Sequence, residues 1–246
     1  KNLHTPYATT WSLSVEHELP GSLVANATYL GTKGTHLDVA LWPNRLTAGS
    51  TTTANAAGYT YDTTVGNSIF NALQLRLNRR LRHGLNWSAY YQFAKSIDDA
   101  TTIGGAGSTV IQNANDIAAD RGLSSFDRRH TFTLSTMAVS PFGPRGQYMK
   151  RGDTFAAKLL SDWSATANLT LQTGAPLTAT VLGTSADPSG TGAVGSGRAD
   201  ATGASINSGS GPFNLLAFAV PVAGQYGSAG RNTIPGPGMI SLNATF

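Results

Sequence analysis

The sequence predicts an all-β chain folded as an antiparallel up-and-down meander of about seven strands, each with one apolar and one polar face. Three observations carry that expectation. Paired arms show period-two alternation, the composition is poor in both charge and apolar bulk, and the connections alternate between short and long.

The alternation is clearest over Asn71–Ala94. Leu73, Leu75, Leu77 and Leu81 alternate with Gln74, Arg76, Asn78 and Arg80. After Arg82-His83-Gly84 the pattern resumes, with Leu85, Trp87, Ala89, Tyr91 and Phe93 set against Asn86, Ser88, Tyr90 and Gln92. Each arm is about 10 residues long, the length at which a tilted strand crosses the hydrocarbon core of a bilayer. Pairing Leu81 with Leu85 places Leu77 opposite Ala89 and Leu73 opposite Phe93, so the apolar faces coincide. Arg79 interrupts the apolar row near the turn, where a long side chain still reaches the interface.

Only 12% of the 246 residues are charged, yet hydrophobic residues reach just 40%. Such a chain is rich in Ser, Thr, Asn and Gly, which suits a sheet whose two faces meet different solvents. The net charge of +4 comes from scattered residues, so no nucleic-acid partner is implied. The absence of cysteine removes disulfides and thiolate metal sites. No run of about 18 apolar residues marks a transmembrane helix; the longest candidate, Leu215–Ala223, is short and contains Pro221. No signal peptide is visible and Lys1 is not a start methionine, so the expectation is a chain that begins inside a larger or a processed protein.

In order, residues 1–9 read as a polar lead-in and Thr10–Leu19 as the first strand. Its Trp11, Leu13, Val15, His17 and Leu19 oppose Ser12, Ser14, Glu16 and Glu18. Pro20-Gly21-Ser22 turns the chain, and Leu23–Gly31 returns with Ala25, Ala27 and Tyr29 on its apolar face. Residues 32–67 read as a long loop rich in Thr, Gly and Ala. The hairpin follows, and residues 95–128 form a second long loop, within which Asp116–Arg121 caps one helical turn. Arg129–Ser140 is the fifth strand, with Phe132 and Leu134 on the apolar face. Residues 141–162 connect it onward and include a short helix over Asp153–Leu160. Trp163–Gly174 is the sixth strand, extended past Pro176 to Val181. Residues 183–238 are a third long loop, rich in Gly and Ser, and Met239–Phe246 is the seventh strand.

In a meander this alternation puts every short turn at one end and every long loop at the other. Outer-membrane barrels sort their connections this way, and a soluble sandwich has no reason to. Trp11, Tyr29, Tyr91 and Phe93 fall near the long-loop ends, while Trp87, Phe142 and Trp163 fall near the short-turn ends. Two aromatic levels with smaller apolar residues between them fit the paired girdles of a barrel. The fold class is therefore part of a transmembrane outer-membrane β-barrel, with loops 32–67, 95–128 and 183–238 assigned to the extracellular side.

Several stretches are similar to a known family. They are Thr5-Pro6-Tyr7 with Trp11-Ser12-Leu13-Ser14-Val15, Gly31-Thr32-Lys33-Gly34-Thr35-His36-Leu37, Asn71-Ala72-Leu73-Gln74-Leu75-Arg76-Leu77 and Phe93-Ala94-Lys95-Ser96-Ile97-Asp98-Asp99. Further on come Arg121-Gly122-Leu123-Ser124, Phe126-Asp127-Arg128-Arg129-His130, Pro141-Phe142-Gly143 and Leu171-Gln172-Thr173-Gly174-Ala175-Pro176. The last are Gly227-Ser228-Ala229-Gly230-Arg231-Asn232 and Pro235-Gly236-Pro237-Gly238. In this order they cover most of the chain, which resembles the barrel of TonB-dependent outer-membrane receptors of the Oar-like type with a carboxypeptidase-regulatory-like N-terminal domain. The resemblance implies an energised transporter in the outer membrane of a Gram-negative bacterium. Its partners would be outer-membrane lipid, an N-terminal plug, the TonB complex and an unidentified transported ligand. Such barrels have about 22 strands around a plug. This chain offers about seven strands and no plug or TonB-contacting segment, so the resemblance makes it a C-terminal-half fragment of a barrel.

The polar rows supply the candidate site. Glu16, Glu18, Gln74, Arg76, Asn78, Arg80, Asn86, Gln92, Asn168 and Gln172 are expected to face the lumen and to meet a plug, water or solute. Trp11, Tyr29, Leu73, Leu75, Leu77, Trp87, Tyr91, Phe93, Phe132 and Trp163 are expected on the lipid-facing side, in the girdles or between them. No catalytic constellation, cofactor motif or metal-ligand spacing is evident among the five histidines, and an enzyme is not expected. His17 and His130 lie on apolar faces near strand ends, where interfacial packing is the plainer reading.

Asp98-Asp99 admits several readings: general acid–base work, calcium, pairing with loop arginines, or a solvated strand boundary, the last being the plainest. The stretch from Asp120-Arg121 to Asp127-Arg128-Arg129 is the densest charge cluster and is expected to order its loop through ion pairs. Arg151-Gly152-Asp153 and the glycine clusters Gly104-Gly105 and Gly192–Gly197 read as loop. The sequons at Asn26, Asn86, Asn168 and Asn243 fall on polar strand faces. The rival readings are a porin-like or adhesive surface barrel without active transport, and a soluble secreted β-sandwich for binding, which would pack the Leu73–Leu77 face on another sheet.

Overall fold

The computed structural model describes residues 3–41, 61–82, 84–99, 111–113, 116–143, 148, 155–161, 163–181, 197–207, 211, 213–222 and 225–246. Arg151-Gly152-Asp153, Gly104-Gly105 and all of Gly192–Gly197 but its last residue lie outside them.

Four strands open the chain: β1 (Tyr7–Leu19), β2 (Leu23–Leu41), β3 (Tyr61–Arg82) and β4 (Leu85–Asp98). A 3₁₀ turn at Ile117–Asp120 precedes the short β5 (Gly122–Leu123), then β6 (His130–Val139), helix α1 (Phe155–Leu160) and β7 (Ser164–Gln172). The short β8 (Pro176–Leu177), β9 (Asp200–Ala201), β10 (Phe218–Ala219) and β11 (Ile234–Pro235) lie in the last long connection, before β12 (Met239–Thr245).

The principal sheet runs β1-β2-β3-β4-β6-β7-β12, every neighbour antiparallel and in chain order, with β5 added beside β4. This is the expected meander. Because the path counts seven strands, β1 and β12 run in the same direction. Closing such a sheet with antiparallel pairs throughout takes an odd number of further strands.

Register sorts the side chains onto two faces, since period-two alternation keeps partners on one side. One row on the apolar face is Val15, Ala27, Leu75, Tyr91, Phe132, Leu171 and Ile240, one residue from each strand. The row beside it is Leu13, Tyr29, Leu73, Phe93 and His130. Directly behind runs a polar row of Glu16, Asn26, Arg76, Tyr90, Thr133, Thr170 and Ser241. The apolar face stays uncovered: Leu13, Val15 and Leu242 are 69%, 63% and 66% exposed, and no second sheet packs on it among the described residues. That overturns the sandwich alternative, which needed Leu73–Leu77 buried against another sheet.

The strands reach further than the alternation shows. β2 continues to Leu41 and β3 begins at Tyr61, so residues 32–41 and 61–67 are paired strand rather than loop. Register shifts between Thr35 and Leu37 and between Leu37 and Val39, with His36 at φ +56°, break the periodicity there. Outside the span expected to cross a bilayer, a strand also has no lipid to select its apolar face. For the same reason β4 reaches Asp98, into residues assigned to loop 95–128, and β1 starts at Tyr7 rather than Thr10. The loop 183–238 in turn contains β9, β10 and β11.

The β3–β4 hairpin has the expected Leu77–Ala89 and Leu73–Phe93 pairs, but Leu85 pairs with Arg82 rather than Leu81, because the ladder slips between Arg79 and Arg82. At the turn, Gly84 has φ +78° and its carbonyl accepts the Val139 N–H at 2.7 Å. A Cβ there would lie 2.4 Å from the Val139 carbonyl oxygen, so the position takes glycine. Asp116 caps the 3₁₀ turn with its side chain accepting the Ala119 N–H at 3.2 Å, as the sequence predicts for Asp116–Arg121. Past Pro176 the chain stays extended but pairs with β11, not β12.

Candidate functional site

Two surfaces carry polar chemistry. The first is the polar wall of the sheet. Glu16, Glu18, Gln74, Arg76, Asn78, Asn86, Gln92, Asn168 and Gln172 all fall on this face by register, so the structure does bring them onto one surface. Side chains link across strands: Gln74 donates to Gln92 at 3.2 Å, Ser88 to Asn78 at 2.6 Å and Gln172 to Thr131 at 3.3 Å, while within β4 Tyr90 donates to Gln92 at 2.7 Å. The Arg76 guanidinium lies 5.6 Å from the Tyr90 ring centroid. Arg80 reaches Glu18 at 3.4 Å, but both side chains are largely exposed, so that pair contributes little. Asn26, Asn168 and Asn243 of the sequons sit on this wall too.

On the opposite face lie Trp11, Tyr29, Leu73, Leu75, Leu77, Trp87, Tyr91, Phe93 and Phe132. Trp163 stands just before β7, more than half exposed, its indole N–H donating to the Leu159 carbonyl at 2.6 Å. His17 and His130 are on this face as well. The His130 ring packs 5.2 Å from Phe93 and its Nδ1 is 2.8 Å from the Tyr91 hydroxyl.

The second surface is a buried polar cluster at the long-connection end. Asp98 and Asp99 are only 4% and 7% exposed, so the solvated-boundary reading is wrong and the pairing with loop arginines is right. Arg231 donates to the Asp98 carboxylate, and the same guanidinium reaches the Asp98 carbonyl at 2.5 Å and the Asp120 carbonyl at 2.7 Å. Arg121 pairs with Asp99 at 2.9 Å, and the other Asp99 oxygen accepts the Asn67 N–H at 2.9 Å. Asp127 accepts the Ser96 N–H at 2.6 Å and lies 3.6 Å from Arg129.

Asp120 accepts the Gln112 N–H at 2.9 Å and lies 3.5 Å from Arg198. Burial raises its carboxyl above the ordinary aspartate range, although Arg198, the Gln112 N–H and Arg231 all pull it down. The charge cluster thus orders its loop through ion pairs, as expected. Arg231 and Asn232, from the stretch Gly227–Asn232 that carries part of the resemblance, complete it together with Gln112 and Arg198, whose local sequence nothing distinguishes from loop. Asn232 donates to the Leu123 carbonyl at 2.6 Å, and Gln112 to the Gly227 carbonyl at 3.0 Å. A small apolar core of Val39, Leu41 and Ile111, with Ile117 against it, sits at the same end. Among the described residues no three His, Asp or Glu side chains converge as a metal site.

A meander with one uncovered apolar face, one polar face and its long connections sorted to one end is the wall of a membrane barrel. The family comparison agrees: the model of the outer membrane beta barrel domain matches residues 1–246. The chain belongs to the outer membrane beta barrel domain family. No curated protein and no solved structure matches it. An outer membrane beta barrel domain resides in the outer membrane of Gram-negative bacteria. The family accounts for the low charge without a large core, since lipid rather than protein covers the apolar face of such a domain.

Proposed function

We propose that this chain is the barrel portion of a TonB-dependent, Oar-like outer-membrane receptor that moves a solute across the outer membrane. The observation that carries the reading is spatial. The stretches that resemble that family are scattered in sequence, yet several of them meet in the one buried cluster. Asp98-Asp99, Arg121–Ser124, Asp127 and Arg231-Asn232 are joined there by hydrogen bonds. Gly174 and Gly236 approach closely beside it. Chance resemblance in separate loops has no reason to converge.

In this reading Glu16, Glu18, Gln74, Arg76, Asn78, Arg80, Asn86, Gln92, Asn168 and Gln172 line the lumen against the plug. The apolar rows meet lipid, and the long connections form the extracellular mouth where ligand is captured. Among the described residues the path of the principal sheet has seven strands, and that odd number supports a larger barrel, because bacterial single-chain barrels close with an even number. The TonB complex would act on the plug from the periplasm.

The test places a photo-reactive phenylalanine at Thr133, on the polar wall, in the full-length protein in cells. The expected adduct is to a plug segment of the same polypeptide, and its yield changes when a protonophore collapses the proton-motive force. An adduct to lipid alone would put Thr133 on the wrong face. A yield indifferent to the protonophore would favour a porin-like or adhesive barrel.

A further inference from the structure

The long connections lie against the polar face of the sheet. Burial alternates along the end of β4: Ala94, Ser96 and Asp98 are buried, while Phe93 and Lys95 beside them are exposed. Alternation places the buried three on the same side as Gln92. Ser124, Asp127 and Arg231 cover them. The buried cluster is therefore a layer folded over the polar face at the long-connection end.

Within that layer the ion pairs differ in quality. Arg231 donates directly to Asp98, and Arg121 lies 2.9 Å from Asp99. Arg129 stands 3.6 Å from Asp127 but keeps 30% of its side chain exposed, so solvent reaches it. Arg198 has neither a close partner nor solvent. Its side chain is 7% exposed, and its Nη2 stands 3.5 Å from Asp120. Its Nη1 donates to the Ala119 carbonyl at 3.2 Å, and its Nε has no partner among the described residues. A buried guanidinium with bonds unmade is costly.

The poorly made bonds share one edge. Nε and Nη2 form a side of the guanidinium that can meet both oxygens of a carboxylate. Asp120 does not fill it. One of its oxygens accepts the Gln112 N–H at 2.9 Å, which leaves the other to reach Nη2 alone. Burial also raises the Asp120 carboxyl, although Arg198 pulls it down, so the pair holds its own anion weakly. The exposed Asp116 adds like charge on the same side of the balance. Ala119, whose carbonyl binds Nη1, is itself exposed, so Arg198 lies one residue below the surface.

We propose that Arg198 receives a carboxylate carried by a ligand, and that Asp120 holds its place until the ligand arrives. The incoming carboxylate takes the Nε–Nη2 edge with both oxygens. Asp120 leaves Nη2 but keeps the Gln112 N–H and the nearby Arg231 charge, so no carboxylate is stranded. The Asp120 carbonyl is bonded to Arg231, so the displacement is felt across the layer that joins β4, β5 and the last connection. The assignment rests on the cluster and stands whether or not the barrel transports anything.

The test is ligand-observed NMR on the full-length protein in detergent, at neutral pH and constant ionic strength. Saturation transfer is read on the methyl protons of two probes, acetate and its neutral analogue acetamide. The unaltered protein should show saturable transfer to acetate and none to acetamide. Asp120→Asn removes the internal competitor and should lower the acetate needed for half-saturation by about tenfold, the scale of one charge-assisted hydrogen bond. Arg198→Lys keeps the charge but loses the fork, and should abolish the saturable part. Heat-modifiable gel migration reports whether each variant folds, and the two-probe comparison on the unaltered protein decides even if one does not. Equal transfer to the two probes, no gain in folded Asp120→Asn, or undiminished binding by folded Arg198→Lys overturns the proposal.

Discussion

Replacing Arg231 by methionine tests the buried cluster most directly. Arg231 is 3% exposed and joins three separated segments: Asp98 at the end of β4, the Asp120 carbonyl, and its own loop before β11. Methionine fills much of the same volume but donates nothing. It leaves the buried Asp98 carboxylate without its arginine, and the Asp98 and Asp120 carbonyls without this donor. Breaking a buried ion pair by removing one partner costs about 3–5 kcal/mol. At about 1.4 kcal/mol per tenfold, local opening of the cluster should rise by roughly two to nearly four powers of ten. The sheet ladders below are untouched, so the loss stays local.

Hydrogen exchange read by mass spectrometry on the folded protein in detergent separates the two regions. The Asp120–Ser124 peptide should lose protection while β7 keeps it. Adding Asp98→Asn to Arg231→Met should restore part of the loss, because the stranded charge is gone. Unchanged protection around Asp120–Ser124, or a double variant no better than Arg231→Met alone, would refute the account of the cluster as charge-coupled.

Three further outcomes are expected. Leu75→Arg, in the middle apolar row, should cost about 2–4 kcal/mol in a folding assay into lipid vesicles, and Arg76→Leu on the other face far less; equal tolerance would reject the assignment of faces. Gly84→Ala should destabilise by more than about 1 kcal/mol in the same assay, because the left-handed backbone and the Val139 carbonyl both oppose a side chain. Asp120 should titrate above the ordinary aspartate value of 3.8 when its carboxyl carbon is followed by NMR. Its folded value is raised, so the stability it contributes is present below 3.8 and lost as pH rises through the folded value. A midpoint at or below 3.8 would show that Arg198 outweighs burial.

Much of the fold was legible because barrel strands solve a local problem. Leu73, Leu75 and Leu77 must face one medium and Gln74, Arg76 and Asn78 another, and period two writes that directly into the sequence. The hairpin pairs Leu77–Ala89 and Leu73–Phe93 follow from matching the faces. The slip that pairs Arg82 with Leu85 does not, since near the turn the face no longer selects the side chain. The strand extensions to Leu41 and from Tyr61 escaped for a related reason: past the bilayer the two media become one and the alternation fades.

By itself the sequence determined the meander, its two faces and the sorting of connections to one end, all of them read from residues close together in the chain. Only the tertiary structure decided the burial of Asp98 and Asp99 and the identity of their arginines. Asp98 and Arg231 are 133 residues apart, and no periodicity reports a pairing across that separation. A strand's face is set by the solvent each residue meets, whereas a site is set by which strands and loops the fold makes neighbours.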